Sequence, residues 1–152
     1  MTIKYKEQGE RKYIIIHSSF TTVNEHIGVE ELDRKHRANS KLSIGYHVVI
    51  RRDGIIEYGR PLNRAGAHMD GYDHESIGIC LIGGASKTGV SQNNFTEAQF
   101  KNLKWILESL SLSYEHASVV GHSKLDALTK CPNFSVPTFL MKEGLAHLSN
   151  RK

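Results

Sequence analysis

Two apolar runs that do not alternate, Tyr13-Ile14-Ile15-Ile16 and Ile77-Gly78-Ile79-Cys80-Leu81-Ile82, constrain this chain more than any other feature. A strand with one wet face alternates polar and apolar residues. A strand covered on both faces does not, and such strands belong to sheets with helices on either side. A shorter run, Ser118-Val119-Val120, behaves the same way. The first and third runs each lead into a histidine, His17 directly and His122 after Gly121. If these two strands are parallel neighbours, both histidines emerge at one edge of the sheet. Ligand sites commonly form there, beyond the carboxyl ends of the strands.

Cys131 stands nine positions after His122 (131 minus 122) and precedes Pro132. Imidazole and thiolate are ligand types that zinc prefers, and three protein donors with an open fourth position define a catalytic zinc site. The expectation is therefore one zinc ion held by His17, His122 and Cys131. Each residue alone has a plainer reading. A histidine after a strand is more often structural than a ligand, and a cysteine before proline in a loop is usually only a cysteine.

The rest of the chain supplies elements for one domain. Val29, Leu32 and His36 recur at helical spacing, with Glu30 and Glu31 suited to a first turn, so a helix is expected from about 29 to 39. Tyr46 to Ile50 reads as a strand, turned by Arg52-Asp53-Gly54 into a second at Ile55 to Tyr58. The long loop from Gly59 to Glu75 is of the length that usually carries function or moves. Thr96 and Gln99 form a capping box, with Phe95 placed to staple onto Phe100, and Phe100, Leu103, Leu107 and Leu110 make an apolar face. That predicts a helix over about 97–112. Ser135 is placed to cap a last helix that Gly144 ends. The expected architecture is α/β, with α+β also open: a mixed sheet of about five strands flanked by about three helices. Its core spans about 13–144, and 145–152 is expected to be a frayed tail.

At 152 residues the chain is long enough to bury a core without staples. Its two cysteines make no disulfide framework; Cys80 lies in an apolar run and reads as a small buried residue. The net charge of +4 favours an anionic partner, and both nucleic acid and bacterial cell wall qualify. The basic residues are scattered, so most of that charge reads as solvated surface. Nine histidines are the one compositional hint of metal or proton chemistry. Met1 to Glu7 is mixed and charged, unlike a signal segment, and no apolar run reaches the length of a membrane span. The chain is thus expected to accumulate in the cytoplasm.

Several short elements occur together and in order: Ile16-His17-Ser18-Ser19, Gly45-Tyr46-His47, Gly66-Ala67-His68, Asp73-His74-Glu75-Ser76-Ile77-Gly78-Ile79-Cys80-Leu81-Ile82-Gly83-Gly84, Phe95-Thr96, Gly121-His122 and Cys131-Pro132. In this the chain resembles the type 2 N-acetylmuramoyl-L-alanine amidases, above all the short phage lysozymes that are zinc amidases, and the related peptidoglycan recognition proteins. The resemblance runs roughly from Tyr13 to Phe139. It implies hydrolysis of the amide joining the lactyl group of N-acetylmuramic acid to the L-alanine of the stem peptide. It matches His17, His122 and Cys131 to the zinc ligands, Tyr46 to a tyrosine whose hydroxyl enters the site, and His68 to a histidine lining the cleft and touching substrate. Such a zinc ion lowers the pKa of bound water to about 7 and polarises the carbonyl, while a donor such as Tyr46 meets the oxyanion.

One departure stands out. The phage enzymes have a lysine two positions before the cysteine. Here that position is Thr129, Lys130 is adjacent to Cys131, and the segment from His122 is one residue longer. Threonine there resembles the catalytic recognition proteins, so Thr129 is expected to take the donor role. His47 is expected to be structural, because neighbours on a strand face opposite ways. The implied partner is bacterial peptidoglycan, met by a monomer without nucleic acid or membrane insertion, after release or holin-type export from the cytoplasm. The competing expectation is a module that recognises peptidoglycan without cutting it; such members typically lack the zinc cysteine.

Overall fold

The computed structural model describes residues 4–151; residues 1–3, the start of the mixed N-terminal stretch, and residue 152 lie outside the described residues. Five strands form one sheet: β1 (Tyr13–Ser18), β2 (Val48–Ile50), β3 (Ile56–Tyr58), β4 (Ser76–Leu81) and β5 (Ser118–Gly121). Their order is β3-β2-β4-β1-β5. β1 is parallel to both β4 and β5, β2 is parallel to β4, and only the β2–β3 hairpin is antiparallel. The two longest apolar runs are thus interior strands, as their lack of alternation requires. The hairpin closes at Gly54, whose φ of 86° is the left-handed conformation that glycine adopts without cost.

Helices cover both faces. α2 (Glu97–Ser113) and α4 (Val136–Lys142) pack on one, where Leu103, Leu107 and Leu140 meet Ile14, Ile16, Ile77 and Ile79. Deleting one such leucine side chain costs about 2–5 kcal/mol. α2 begins as the capping box dictates: Gln99 N–H donates to Thr96 Oγ1 and Thr96 N–H to Gln99 Oε1, while the Phe95 and Phe100 rings lie 5.9 Å apart. α1 (Val29–Ala38) covers the other face with a smaller cluster of Leu32, Ile44, Val49, Cys80 and Ile82. A one-turn helix, α3 (His122–Leu125), follows β5 directly.

Two expectations need correction. The tail expected over 145–152 is not frayed where it is described, over 145–151: Leu145 and Leu148 are buried in the main core, a 3-10 turn spans Ala146–Ser149, and Arg151 exchanges hydrogen bonds with Ser118 and reaches the Ser111 carbonyl. The apolar pair holds the segment down against β5. The strand expected from Tyr46 is shorter, beginning at Val48. Tyr46 and His47 precede the ladder, although Arg60 and Gly59 still donate to their carbonyls.

His47 is fully buried, with Nδ1 accepting from Gly78 N–H at 3.0 Å and Nε2 donating to the Arg64 carbonyl at 2.8 Å. Burial pulls its pKa from 6.5 to about 4. The folded state therefore resists a proton that the unfolded chain accepts. The stability this provides is complete above about pH 6.5 and is lost as pH falls toward 4, on the order of 3 kcal/mol. Urea unfolding across that window should show the loss, and a His47→Gln variant should be visibly flatter over it; equal slopes for the two proteins would refute the assignment.

Candidate metal centre

The parallel pairing of β1 and β5 sets Ile16 opposite Gly121, so His17 and His122 leave the sheet side by side. Their rings lie 4.8 Å apart between centroids. Cys131 comes back to them at the end of the loop after α3, where Ser123 N–H donates to the Cys131 carbonyl at 2.8 Å. The donor atoms of His17, His122 and Cys131 all lie within 4.8 Å of one another, a grouping able to hold one metal ion.

The electrostatics suit that use. Burial, with His122 and Lys41 nearby, pulls His17 down to about 3, so its ring is neutral at pH 7 and keeps a lone pair for a ligand. Burial also lowers His122, against the opposing carboxylate of Asp126, 3.6 Å from its Nε2. The Cys131 thiol is pushed up by burial, partly countered by Ser18, whose N–H points at Sγ from 3.2 Å. Two neutral imidazoles and a thiol directed by an amide form a donor set that fits zinc.

Tyr46 joins this group. Its ring lies 5.3 Å from that of His17, and the sulfurs of Cys80 and Cys131 both act on its hydroxyl. Burial first, and then the two thiols, raise its pKa well above 10, so it remains a proton donor. Thr129 sits two residues before Cys131, and its Oγ1 accepts the Cys131 N–H at 3.1 Å. The hydroxyl hydrogen is left to point elsewhere. Lys130 and Leu128 are exposed, Leu128 at 98%. A hollow of about 660 Å³ opens beside His122, bordered by Lys41, Met69, Tyr72, Leu125 and Asp126. Another hollow, at the outer side of β5, contains none of the three donors.

His68 is not where a substrate contact would be. Its side chain is 0% exposed, and only its backbone borders the hollow. The ring lies under His17, with Nδ1 2.8 Å from His17 Nε2. It fits there because residues 66 and 78 are glycines: a Cβ on either would fall 2.6 or 2.7 Å from the ring. His47 has both ring nitrogens bonded to backbone, which leaves it neither nitrogen to offer a ligand.

Supporting residues carried weaker signals. Asp126, four residues after His122, was readable from helical spacing. Ser18 and Asn133 were not. Asn133 Nδ2 donates to Ser18 Oγ at 2.6 Å, tying the end of β1 to the loop after Cys131 across 115 positions of sequence.

Comparison with known proteins identifies the family. The family described as N-acetylmuramoyl-L-alanine amidase matches residues 7–134. The chain belongs to that family and is an enzyme of its class. It is 36% identical over 143 residues to the endolysin of Escherichia phage T7, covering 94% of each chain. A peptidoglycan-recognition protein of Drosophila melanogaster is 29% identical over 136 residues, 86% of this chain and 73% of that one. The same fold occurs in N-acetylmuramoyl-L-alanine amidase LysC from Clostridium intestinale, at a TM-score of 0.76 and 24% identity, covering 94% of this chain and 95% of that one.

Proposed function

We infer that this enzyme is a zinc-dependent endolysin that hydrolyses the amide between N-acetylmuramic acid and the L-alanine of the stem peptide. The observation that carries this reading is the convergence of His17, His122 and Cys131 at one sheet edge, in a chain of the amidase family. A zinc ion on these residues supplies a Lewis acid that polarises the scissile carbonyl and makes water nucleophilic near neutral pH.

The chain's own residues do the rest. The hollow beside His122 admits the stem peptide, and Lys41 and Asp126 at its border offer charges of both signs to a peptide backbone. Attack on the amide builds negative charge on the carbonyl oxygen, and a fixed donor aimed at that charge lowers the barrier. Tyr46, kept protonated by burial, is one such donor. Thr129 is the second: its oxygen is held by the Cys131 amide, which leaves its O–H to donate. The protein acts as a monomer on the wall, reaching it from inside the host as the name endolysin implies for its phage relatives. No helix among the described residues is long and apolar enough to cross a membrane.

The bond and the metal are tested together by mass spectrometry of purified peptidoglycan after digestion, with and without prior chelation. Free stem peptides beginning at L-alanine are expected only in the zinc-loaded sample. Intact wall in both, from folded protein, would make this a recognition module. The donors are tested separately. Tyr46→Phe and Thr129→Ala should each lower kcat by about 10²- to 10³-fold, while Lys130→Ala should change it by no more than about twofold. The opposite ranking of Thr129 and Lys130 would move the donor role to the lysine.

A further inference from the structure

His68 spends a fully buried, polar side chain on a place the mechanism above does not use. Its ring is clamped between Gly66 and Gly78, and both of its nitrogens have partners. Nε2 lies 3.2 Å from Ser76 Oγ, and Ser76 Oγ lies 2.8 Å from the Tyr72 carbonyl. Nδ1 lies 2.8 Å from His17 Nε2. These four groups form one chain of hydrogen bonds ending on a carbonyl.

A carbonyl only accepts, and that fixes every direction in the chain. Ser76 has one hydroxyl proton and gives it to Tyr72. Its oxygen must then accept from His68, which puts the proton of a neutral His68 on Nε2. Nδ1 of His68 is left as an acceptor, so His17 donates from Nε2. The lone pair of His17 is thereby confined to Nδ1. Asp73 offers His68 no alternative: its Oδ1 is 4.0 Å from Nε2 and already accepts the N–H groups of His68 and Met69, each at 2.8 Å. The other charged or titratable groups acting on the ring are His17, His47, Arg11 and Lys41, none of them an anion that would favour a second proton there.

We propose that His68 is a positioning residue, the middle of a relay from the Tyr72 carbonyl through Ser76 that sets the tautomer and ring orientation of His17 for metal binding at Nδ1. The proposal rests on His17 being a metal ligand. Outer partners of this kind orient the ligating imidazole, and their loss typically lowers metal affinity by about 10- to 100-fold. Gly66 and Gly78 then serve the metal centre indirectly, by leaving the slot that the His68 ring fills.

The relay can be read without metal or activity. Proton–nitrogen correlation spectra of the histidine rings in the chelator-stripped full-length protein should show His17 and His68 both protonated at Nε2 and bare at Nδ1. Zinc affinity by chelator competition should fall about 10- to 100-fold in Ser76→Ala and His68→Phe. His68→Asn, which returns an acceptor oxygen near Nδ1, should recover part of the loss. A flat zinc isotherm for the wild-type protein would sink the metal reading, and the role of the relay with it. Normal zinc binding with a proton on His17 Nδ1, or a Ser76→Ala protein with unchanged His17 resonances and unchanged affinity, would sink the relay alone.

Discussion

The parallel, in-register pairing of β1 with β5 is the constraint on which the rest of the site depends. It brings two histidines that are 105 positions apart (122 minus 17) to the same sheet edge. Because side chains alternate along β1, His17 projects to the face opposite Ile14 and Ile16, which belong to the main core. The site therefore forms on the side of α1, where the apolar cluster is small, and Tyr46 packs against that same cluster. The third donor is brought in by a different device, the hydrogen bonds that join Ser18 to Cys131 and Asn133.

Much of this was legible in the sequence because it rests on local periodicity. Continuous apolar runs marked β1 and β4 as interior strands, and the Thr96–Gln99 box marked the start of α2. The side-by-side placement of His17 and His122 followed from treating their runs as parallel neighbours. The C-terminal segment was not legible. Leu145 and Leu148 are two isolated leucines in a polar stretch, too few to show a period, and their burial depends on a surface made by β5 and α4. His68 failed for a related reason. Its position in a loop gave no sign that its ring would turn inward, since the slot it fills is made by glycines on two separate segments.

Arg11, His47 and Arg60 are buried polar side chains outside the donor set. Arg11 donates to the carbonyls of Ser76, Leu62 and Arg64, Arg60 to those of Ala65 and Ser43, and His47 to Arg64. Buried polar groups are costly unless partnered, and here nearly every partner is a backbone carbonyl of the loop from Gly59 to Glu75 or its neighbours. That loop has almost no regular structure of its own, so these side chains do for it what a ladder does for a strand. The hollow beside His122 borrows its wall from a loop held in this way.

The tie between Ser18, Asn133 and Gly84 has a consequence for how the enzyme can vary over time. Gly84 has a φ of 100°, and a Cβ there would fall 2.7 Å from Asn133 Nδ2 and 2.9 Å from Ser18 Oγ. Three residues from distant parts of the sequence thus constrain one another's size. A change at Ser18 or Asn133 alone breaks the hydrogen bond that seats the cysteine loop, and a side chain at residue 84 is strained whatever its partners become. The two polar partners can therefore change only together and the glycine not at all, while exposed neighbours such as Leu128 and Lys130 are under no such constraint.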